Sequence, residues 1–295
     1  MQNDRQSMLI LGCGYVGERV AVACLQQGMR VVATTRSAER AAALEPLGIE
    51  AVVVESPLQL PRSLLATVEC LLDSIPLVRD GSEMYAPQSQ WLPQIASHLT
   101  SVRWAGYLST TGVYGDACGG WVDESTVCRP ASARGRERLT AEKAWFDSGL
   151  PAEVFRIAGI YGPGRNLLGR LRAGGYKAVQ WQPPHFSSRI HVDDIVAALL
   201  AAMHSPRSGR IVNLADDMPL PHADYVCELA AMVGAPAPEI LTEAEGEAQL
   251  SPALLDFFRD NKRVSNRLLH RELLATLNYP DFRAAVPALL AGERS

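Results

Sequence analysis

The run Met8-Leu9-Ile10-Leu11 leads directly into Gly12-Cys13-Gly14-Tyr15-Val16-Gly17, and a helix-period stretch follows as far as Gly28. A short apolar strand, a glycine turn and an amphipathic helix in that order leave few folds open. The rhythm then repeats. "RVVATT" (30–35) reads as a second strand and "SAERAAALEPLG" (37–48) as a second helix. "IEAVVVE" (49–55), "VECLLDS" (68–74), "RWAGYLS" (103–109) and "AEVFRIAGI" (152–160) read as four more strands. Nearly continuous apolar strands are covered on both faces, which implies a parallel sheet between helical layers. The expected fold class is therefore α/β, a doubly wound parallel sheet of Rossmann type.

Beyond Pro163 prolines cluster in "QWQPPHF" (180–186), "DDMPLPH" (216–222) and "GAPAPE" (234–239), with helical patterns at 193–204, 222–233 and 251–258. This change predicts a smaller, partly helical C-terminal substrate lobe lying against the carboxyl ends of the strands. The expected division is 1–163 for the dinucleotide-binding domain and 164–295 for the lobe. Some segments are expected to return to the main sheet, "IVNLA" (211–215) among them.

In its strand-turn-helix setting the glycine turn predicts a dinucleotide site. Gly12 permits the tight turn, Gly14 lets the backbone approach a pyrophosphate, and Gly17 lets the helix pack on the strand. The amides of Cys13, Tyr15 and Val16 lie at the positive end of the helix. A purely structural turn is the alternative. An acidic residue ending the second strand would select NAD; here the chain reads Thr34-Thr35-Arg36-Ser37. A guanidinium with neighbouring hydroxyls suits a 2′-phosphate. NADP(H) is thus favoured over NAD(H), with Thr35, Arg36 and Ser37 as contacts; a solvated Arg36 is the competing reading.

The net charge of −4 gives no electrostatic case for nucleic acid or an anionic membrane as partner. The six cysteines form no C-x-x-C pair and lack histidines at ligand spacing, so no metal site is expected. Their scatter suits a reducing compartment, and the N-terminus reads as a strand and not a signal peptide, so the expected location is cytoplasmic.

"YLSTTGVYGD" (107–116), "FRIAGIYGPGRN" (155–166) and "RIHVDDIVAAL" (189–199) resemble the extended short-chain dehydrogenase/reductases, specifically their NAD-dependent epimerase/dehydratase family. The likeness runs from Met8 to about Leu220. "DNKRVSNRLL" (260–269) and "YPDFR" (279–283) resemble the tail of an atypical subgroup. The resemblance implies hydride transfer at a nicotinamide on a small polar metabolite, nucleotide sugars being one class. It adds Ser74, Pro76 and Gly159 to the cofactor set; position alone puts Arg165, Asn166 and His185, in the 180–186 loop, on the substrate side. It also implies pairing as a homodimer, which the helix faces of this chain leave open.

The family's catalytic hydroxyl falls on Thr110, with Ser109 beside it. Its Tyr and Lys fall on Arg134 and Arg138. Arg138 is able to donate hydrogen bonds to a ribose as the Lys does. Arg134 has no acceptor lone pair and keeps its proton, so it cannot act as the Tyr does. Tyr114 and Tyr161 read as packing residues, His185 as a loop histidine facing solvent with a general acid as the alternative, Asp193 as an N-cap, and Asp73 as a weakly supported base. At i and i+4 Arg134 and Arg138 share a helix face, which suggests an anion site; a solvated face with Glu137 and Glu142 is the plain alternative. Two functions stay open: an enzyme with a non-standard proton relay, and a catalytically degenerate NADP(H)-binding sensor or interaction protein.

Overall fold

The computed structural model describes residues 6–81, 83–251, 255 and 258–292. The helix expected over 251–258 lies largely outside them.

Strand β1 (Ser7–Leu11) is buried from Met8 onward, as its uninterrupted apolar sequence requires. It lies parallel between β2 (Arg30–Thr35) and β4 (Cys70–Asp73), with Leu9 opposite Val32 on one side and Leu71 on the other. β3 (Glu50–Val53), β5 (Trp104–Thr110), β6 (Ala152–Ile157) and β7 (Ile211–Leu214) complete a seven-stranded sheet in the order β7-β6-β5-β4-β1-β2-β3. The order reverses about β1, so the carboxyl ends of β1 and β4 flank the topological switch point. The turns starting at Gly12 and Ser74 leave the sheet there.

Helix α1 (Tyr15–Gln26) buries Val16, Gly17, Val20, Ala21 and Cys24, one stripe at i, i+4 and i+8 spacing. α2 (Ala38–Leu44) is capped by Ser37, whose hydroxyl accepts from the Arg40 amide. α3 (Arg62–Thr67), α4 (Gln88–Ile95) and α5 (Ala133–Asp147) follow. Trp145 of α5 packs edge-on to Trp91 of α4 at 5.9 Å and stacks on Tyr107 of β5 at 6.4 Å. Such aromatic pairs each add about 0.5–1.5 kcal/mol beyond their burial.

The apolar run expected as one strand over 152–160 is two. β6 ends at Ile157, and after Ala158 the segment Gly159–Tyr161 pairs in parallel with Arg189–His191. A side chain at Gly159 would meet the Ser188 carbonyl at 3.3 Å, so glycine permits the new pairing.

The chain forms two compact units. The first comprises Met1–Thr110, Ala133–Arg156 and Ile195–Val212; the second comprises Thr111–Ser132, Ile157–Asp194 and Asn213–Ser295. The second is cored by Tyr161, Leu168, Val226, Leu229, Phe282 and Val286. Its helix Val192–His204, which continues into the first unit, begins two residues earlier than an Asp193 N-cap requires, so Asp193 lies inside the first turn. Asp194 is the buried acid of the pair. Its carboxylate accepts the amides of Asn278 (2.7 Å) and Tyr279 (3.0 Å), tying down the "NYPDFR" segment.

Candidate nucleotide and catalytic site

The three glycines of the first turn differ physically as the dinucleotide fingerprint requires. Gly12 sits at φ +75°, and a Cβ there would lie 3.0 Å from Ile75 Cα. A Cβ on Gly17 would press on Ile10 Cγ2 at 3.1 Å, whereas one on Gly14 would meet nothing within 4 Å. Gly12 closes the turn, Gly17 lets helix and strand touch, and Gly14 keeps an open approach. Thr34 orders the loop: its hydroxyl accepts the Gly12 amide at 2.9 Å and its carbonyl accepts the Cys13 amide at 2.9 Å. Gly14 stands at the N-cap of α1 with no side-chain cap. Burial pushes the Cys13 thiol up to about 11, so it stays a neutral lining group. Arg19 donates to the Tyr15 carbonyl and stacks over the Tyr15 ring. These features fit a pyrophosphate at the α1 N-terminus.

At the end of β2 the two arginines behave differently. Arg40 is consumed by the loop itself, donating to the Cys13 carbonyl (3.3 Å) and to Glu18 Oε2 (2.6 Å). Arg36 is exposed, and no hydrogen bond or ion pair holds it among the described residues. Thr35 turns its hydroxyl to the Ser37 amide. No carboxylate occupies positions 34–37.

After β4, Asp73 is sealed in the interior. Its oxygens accept from the Ile75 amide, Gln88 Nε2 and Trp145 Nε1, all at 2.9 Å. Burial is the main influence on its carboxyl and raises it to about 6, against the hydrogen bonds and the Arg138 charge. With every oxygen engaged and no exposed surface, Asp73 acts as a latch between β4, α4 and α5. Ser74 and Pro76 are half-buried and exposed beside it.

At the positions expected from the sequence to be catalytic, Arg138 reaches back from α5 to the end of β5. Its Nη1 donates to Tyr107 Oη (2.9 Å) and toward the carbonyls of Leu108 (3.3 Å) and Ile75 (3.4 Å). Tyr107 is fully buried, and that burial holds its phenol well above the ordinary range despite the adjacent guanidinium. Ser109 donates to Glu142 Oε1 at 2.5 Å, and Arg156 grips the same carboxylate through Nη2 to Oε2 at 2.7 Å and Nε to Oε1 at 3.1 Å. Glu142 is 2% exposed, so it leaves the charged face of α5 and joins a buried triad. Thr110 is half-buried at the end of β5, and Arg134 is exposed in the first turn of α5.

In the second unit Arg165 shares a two-residue bridge with Gly162, and Asn166 ties the loop before the short helix Leu168–Arg172, accepting the Leu168 amide at 3.0 Å and donating to the Gly162 carbonyl at 3.2 Å. His185 does not face solvent. It is 5% exposed, its ring lies 5.0 Å from Phe258, and burial lowers its basicity. The Pro-rich sequence around it suggests an outward loop, but it is buried, with Phe258 from a distant segment against its ring. Tyr114 and Tyr161 are buried packing residues, the former donating to Asn213 Oδ1 at 2.7 Å. Sequence reading missed Glu142 and Arg156. An arginine inside the apolar strand "AEVFRI" was the available signal, since a buried guanidinium needs a partner. No group of three or more potential metal ligands occurs among the described residues. Among them, no helix is long and apolar enough to cross a membrane.

No family model matches the chain. A conserved protein of unknown function from Silicibacter pomeroyi DSS is 37% identical, with a TM-score of 0.87 over 97% of this chain and 98% of that one. A candidate NAD-dependent epimerase/dehydratase from Methylobacillus flagellatus is 25% identical, with a TM-score of 0.69 over 98% and 99%. UDP-glucuronic acid 4-epimerase from Bacillus cereus, solved with NAD, is 15% identical with a TM-score of 0.76 over 98% and 99%, a likeness of fold alone. A curated relative, 3-diazoavenalumate denitrifying reductase from Streptomyces sp, is 33% identical over 139 residues, 44% of this chain and 41% of that protein. The match therefore spans less than half of the reductase. The fold is that of the short-chain dehydrogenase/reductases in their NAD-dependent epimerase/dehydratase-like form, and the chain belongs to one family with the Silicibacter protein.

Proposed function

We propose that the protein is an NADP(H)-binding oxidoreductase or isomerase of the epimerase/dehydratase type, acting on a small polar metabolite. The observation that carries this reading is the glycine turn. Gly12 and Gly17 are filled by their surroundings, Gly14 is open, and the neighbouring β2 end offers an exposed Arg36 without a carboxylate. The solved neighbours that hold NAD support nicotinamide nucleotides as the ligand class. Nucleotide sugars, named for several of them, are the first substrates to test.

A nicotinamide nucleotide bound there would supply or accept hydride. Thr110 presents a hydroxyl at the β5 end to polarise a substrate oxygen. Arg138, fixed by Tyr107, is a permanent cation at the position from which the family's Lys reaches the ribose. Arg134 donates hydrogen bonds to an anionic group but moves no proton. The proton therefore travels by another route, through solvent or the substrate itself. Arg165, Asn166 and His185 remain the substrate-side candidates, although the Asn166 amide is already engaged by Gly162 and Leu168.

A second reading, a sensor that keeps the nucleotide and has lost the chemistry, draws support from the same arginines. Tyr107, whose phenol Arg138 contacts, is sealed from solvent and held protonated.

Calorimetric titration of stripped protein with NADPH and NADH tests the common core of both. NADPH is expected to bind in the micromolar range and NADH on the order of tenfold or more weaker. Arg36→Ala is expected to weaken NADPH by about tenfold, the loss of a charge-assisted hydrogen bond, and to leave NADH unchanged. Binding of neither nucleotide would reject both readings. Turnover of a bound sugar nucleotide would separate enzyme from sensor.

A further inference from the structure

Arg189 is a buried cation without an acidic partner at ion-pair distance among the described residues. It is 6% exposed, donates from Nη2 to Ser187 Oγ at 2.7 Å, and lays its guanidinium carbon 3.7 Å from the centre of the Tyr225 ring. Its Nη1 is buried and makes no hydrogen bond among the described residues. Desolvating a guanidinium is strongly unfavourable unless an anion or a full set of acceptors replaces water, and a ring face compensates only in part.

Asp216 stands beside it and does not supply that anion. The carboxyl is 1% exposed; the Asp216 amide donates to the Arg189 carbonyl at 2.6 Å, and Oδ1 accepts the Met218 amide at 3.2 Å. Oδ2 is buried with no partner among the described residues. Burial, opposed by the Arg189 charge, lifts this carboxyl to about 8, which makes it an uncharged acid near neutrality.

The same charge reaches His222, around which aromatic rings gather. His222 lies 6.3 Å from Tyr225 and 5.4 Å from Phe258, and Phe258 lies 5.3 Å from Trp181. Burial first, then Arg189, push His222 down to about 4, so it adds no charge at pH 7. Trp181 Nε1 is a third buried polar atom without a hydrogen-bond partner among the described residues. Arg189, Tyr225, His222, Phe258 and Trp181 thus follow one another in a chain of ring contacts inside the second unit, with Asp216 bonded to the Arg189 backbone at one end.

We propose that these residues are a receptor for a monoanionic aromatic acid, its carboxylate paired with Arg189 Nη1 and its ring on the Trp181, Phe258 and His222 faces. A planar carboxylate matches the guanidinium in shape and charge. A diphosphate, with its greater charge, meets only one cation here and an acid beside it. Asp216 has an O–H to give the carboxylate, and Trp181 an N–H for a polar ring substituent. The assignment deepens the proposed enzyme reading and rests on it for what happens after binding.

The test is calorimetric titration of the full-length protein with 4-hydroxycinnamate, benzoate, cyclohexanecarboxylate and UDP, without nicotinamide nucleotide, with tryptophan fluorescence as a second readout. Saturable binding of the two aromatic acids below about 1 mM is expected, with the non-aromatic acid and UDP on the order of tenfold weaker. Arg189→Met is expected to lose about tenfold or more for both acids. Trp181→Phe, which keeps a ring but removes the N–H, is expected to weaken 4-hydroxycinnamate more than benzoate. UDP binding more tightly than either acid overturns the proposal in favour of a nucleotide. No saturable signal up to about ten times that concentration overturns it in favour of ordered water on the orphan atoms. If Arg189→Met fails to fold, the ligand series on wild-type protein decides alone. NADPH binding is read in a separate titration, so its failure is distinguishable from failure here.

Discussion

Gly12 and Gly14 stand two residues apart and respond oppositely to the same added methyl group. At Gly12 it would strike Ile75 from a left-handed backbone, whereas at Gly14 it enters open space. Gly14→Ala is therefore expected to leave thermal stability nearly unchanged, within about 0.5 kcal/mol. It is also expected to weaken NADPH binding by tenfold or more, because the methyl stands where the pyrophosphate approaches. A melt and a titration on one sample check both halves; retained affinity would remove the glycine turn from the site. Asp73 makes a prediction of a different kind. Its native carboxyl, at about 6, lies above its unfolded value near 3.9. Between those values the folded state holds a proton that the unfolded state has lost, so this group's contribution to stability falls as pH rises from about 4 to 6. The change amounts to at most about 3 kcal/mol. Asp73→Asn cannot titrate, and the difference in urea stability between wild type and variant is expected to shift in the variant's favour across that window. A pH-independent difference would show that Asp73 ionises normally.

Helix α5 carries more of the architecture than its sequence suggests. "RGRERLTAEKAW" reads as a charged, solvated helix, and the charges at Arg134, Arg136 and Lys143 are indeed exposed. Glu142 is the exception, and nothing in helical periodicity separates it from Glu137. Only a partner from β6, distant in sequence, turns it inward, which is why pattern reading missed the Ser109–Glu142–Arg156 triad. Strands and the glycine turn were legible for the opposite reason: their signals are local, an apolar run or a position only glycine tolerates. Arg156→Met is expected to destabilise by about 3–5 kcal/mol, since it leaves Glu142 charged and buried without its cation. The pair Glu142→Gln with Arg156→Met is expected to recover a good part of that loss. Urea unfolding of the two singles and the double gives the coupling energy; additive losses would mean that the ion pair is incidental.

At the scale of the whole molecule the chain crosses between its units five times, and no composition shift marks the crossings. The change of rhythm after Pro163 reports prolines and turns, while the units are defined by contacts between remote segments. Ile195–Val212 illustrates the difference. It follows a long stretch of the second unit, yet its end is bound into the first: the Val154 amide donates to the Arg210 carbonyl, and the Gly209 amide to the Ala152 carbonyl. Glu153, fully buried, accepts from Arg210 Nε at 2.7 Å and from the Arg207 amide at 2.8 Å. A fragment of residues 1–163 would keep Glu153 in β6 but remove both donors, together with β7. It would also expose the edge of β6 and the apolar side chains that the helix Val192–His204 covers. Such a fragment is expected to lack a cooperative thermal transition and to bind no NADPH, even though it contains the entire glycine turn, β4 and the positions proposed as catalytic. Expression of the fragment with circular dichroism and nucleotide titration checks this. A cooperative melt with retained binding would instead make 1–163 an autonomous nucleotide domain and the return of β7 an accessory to it.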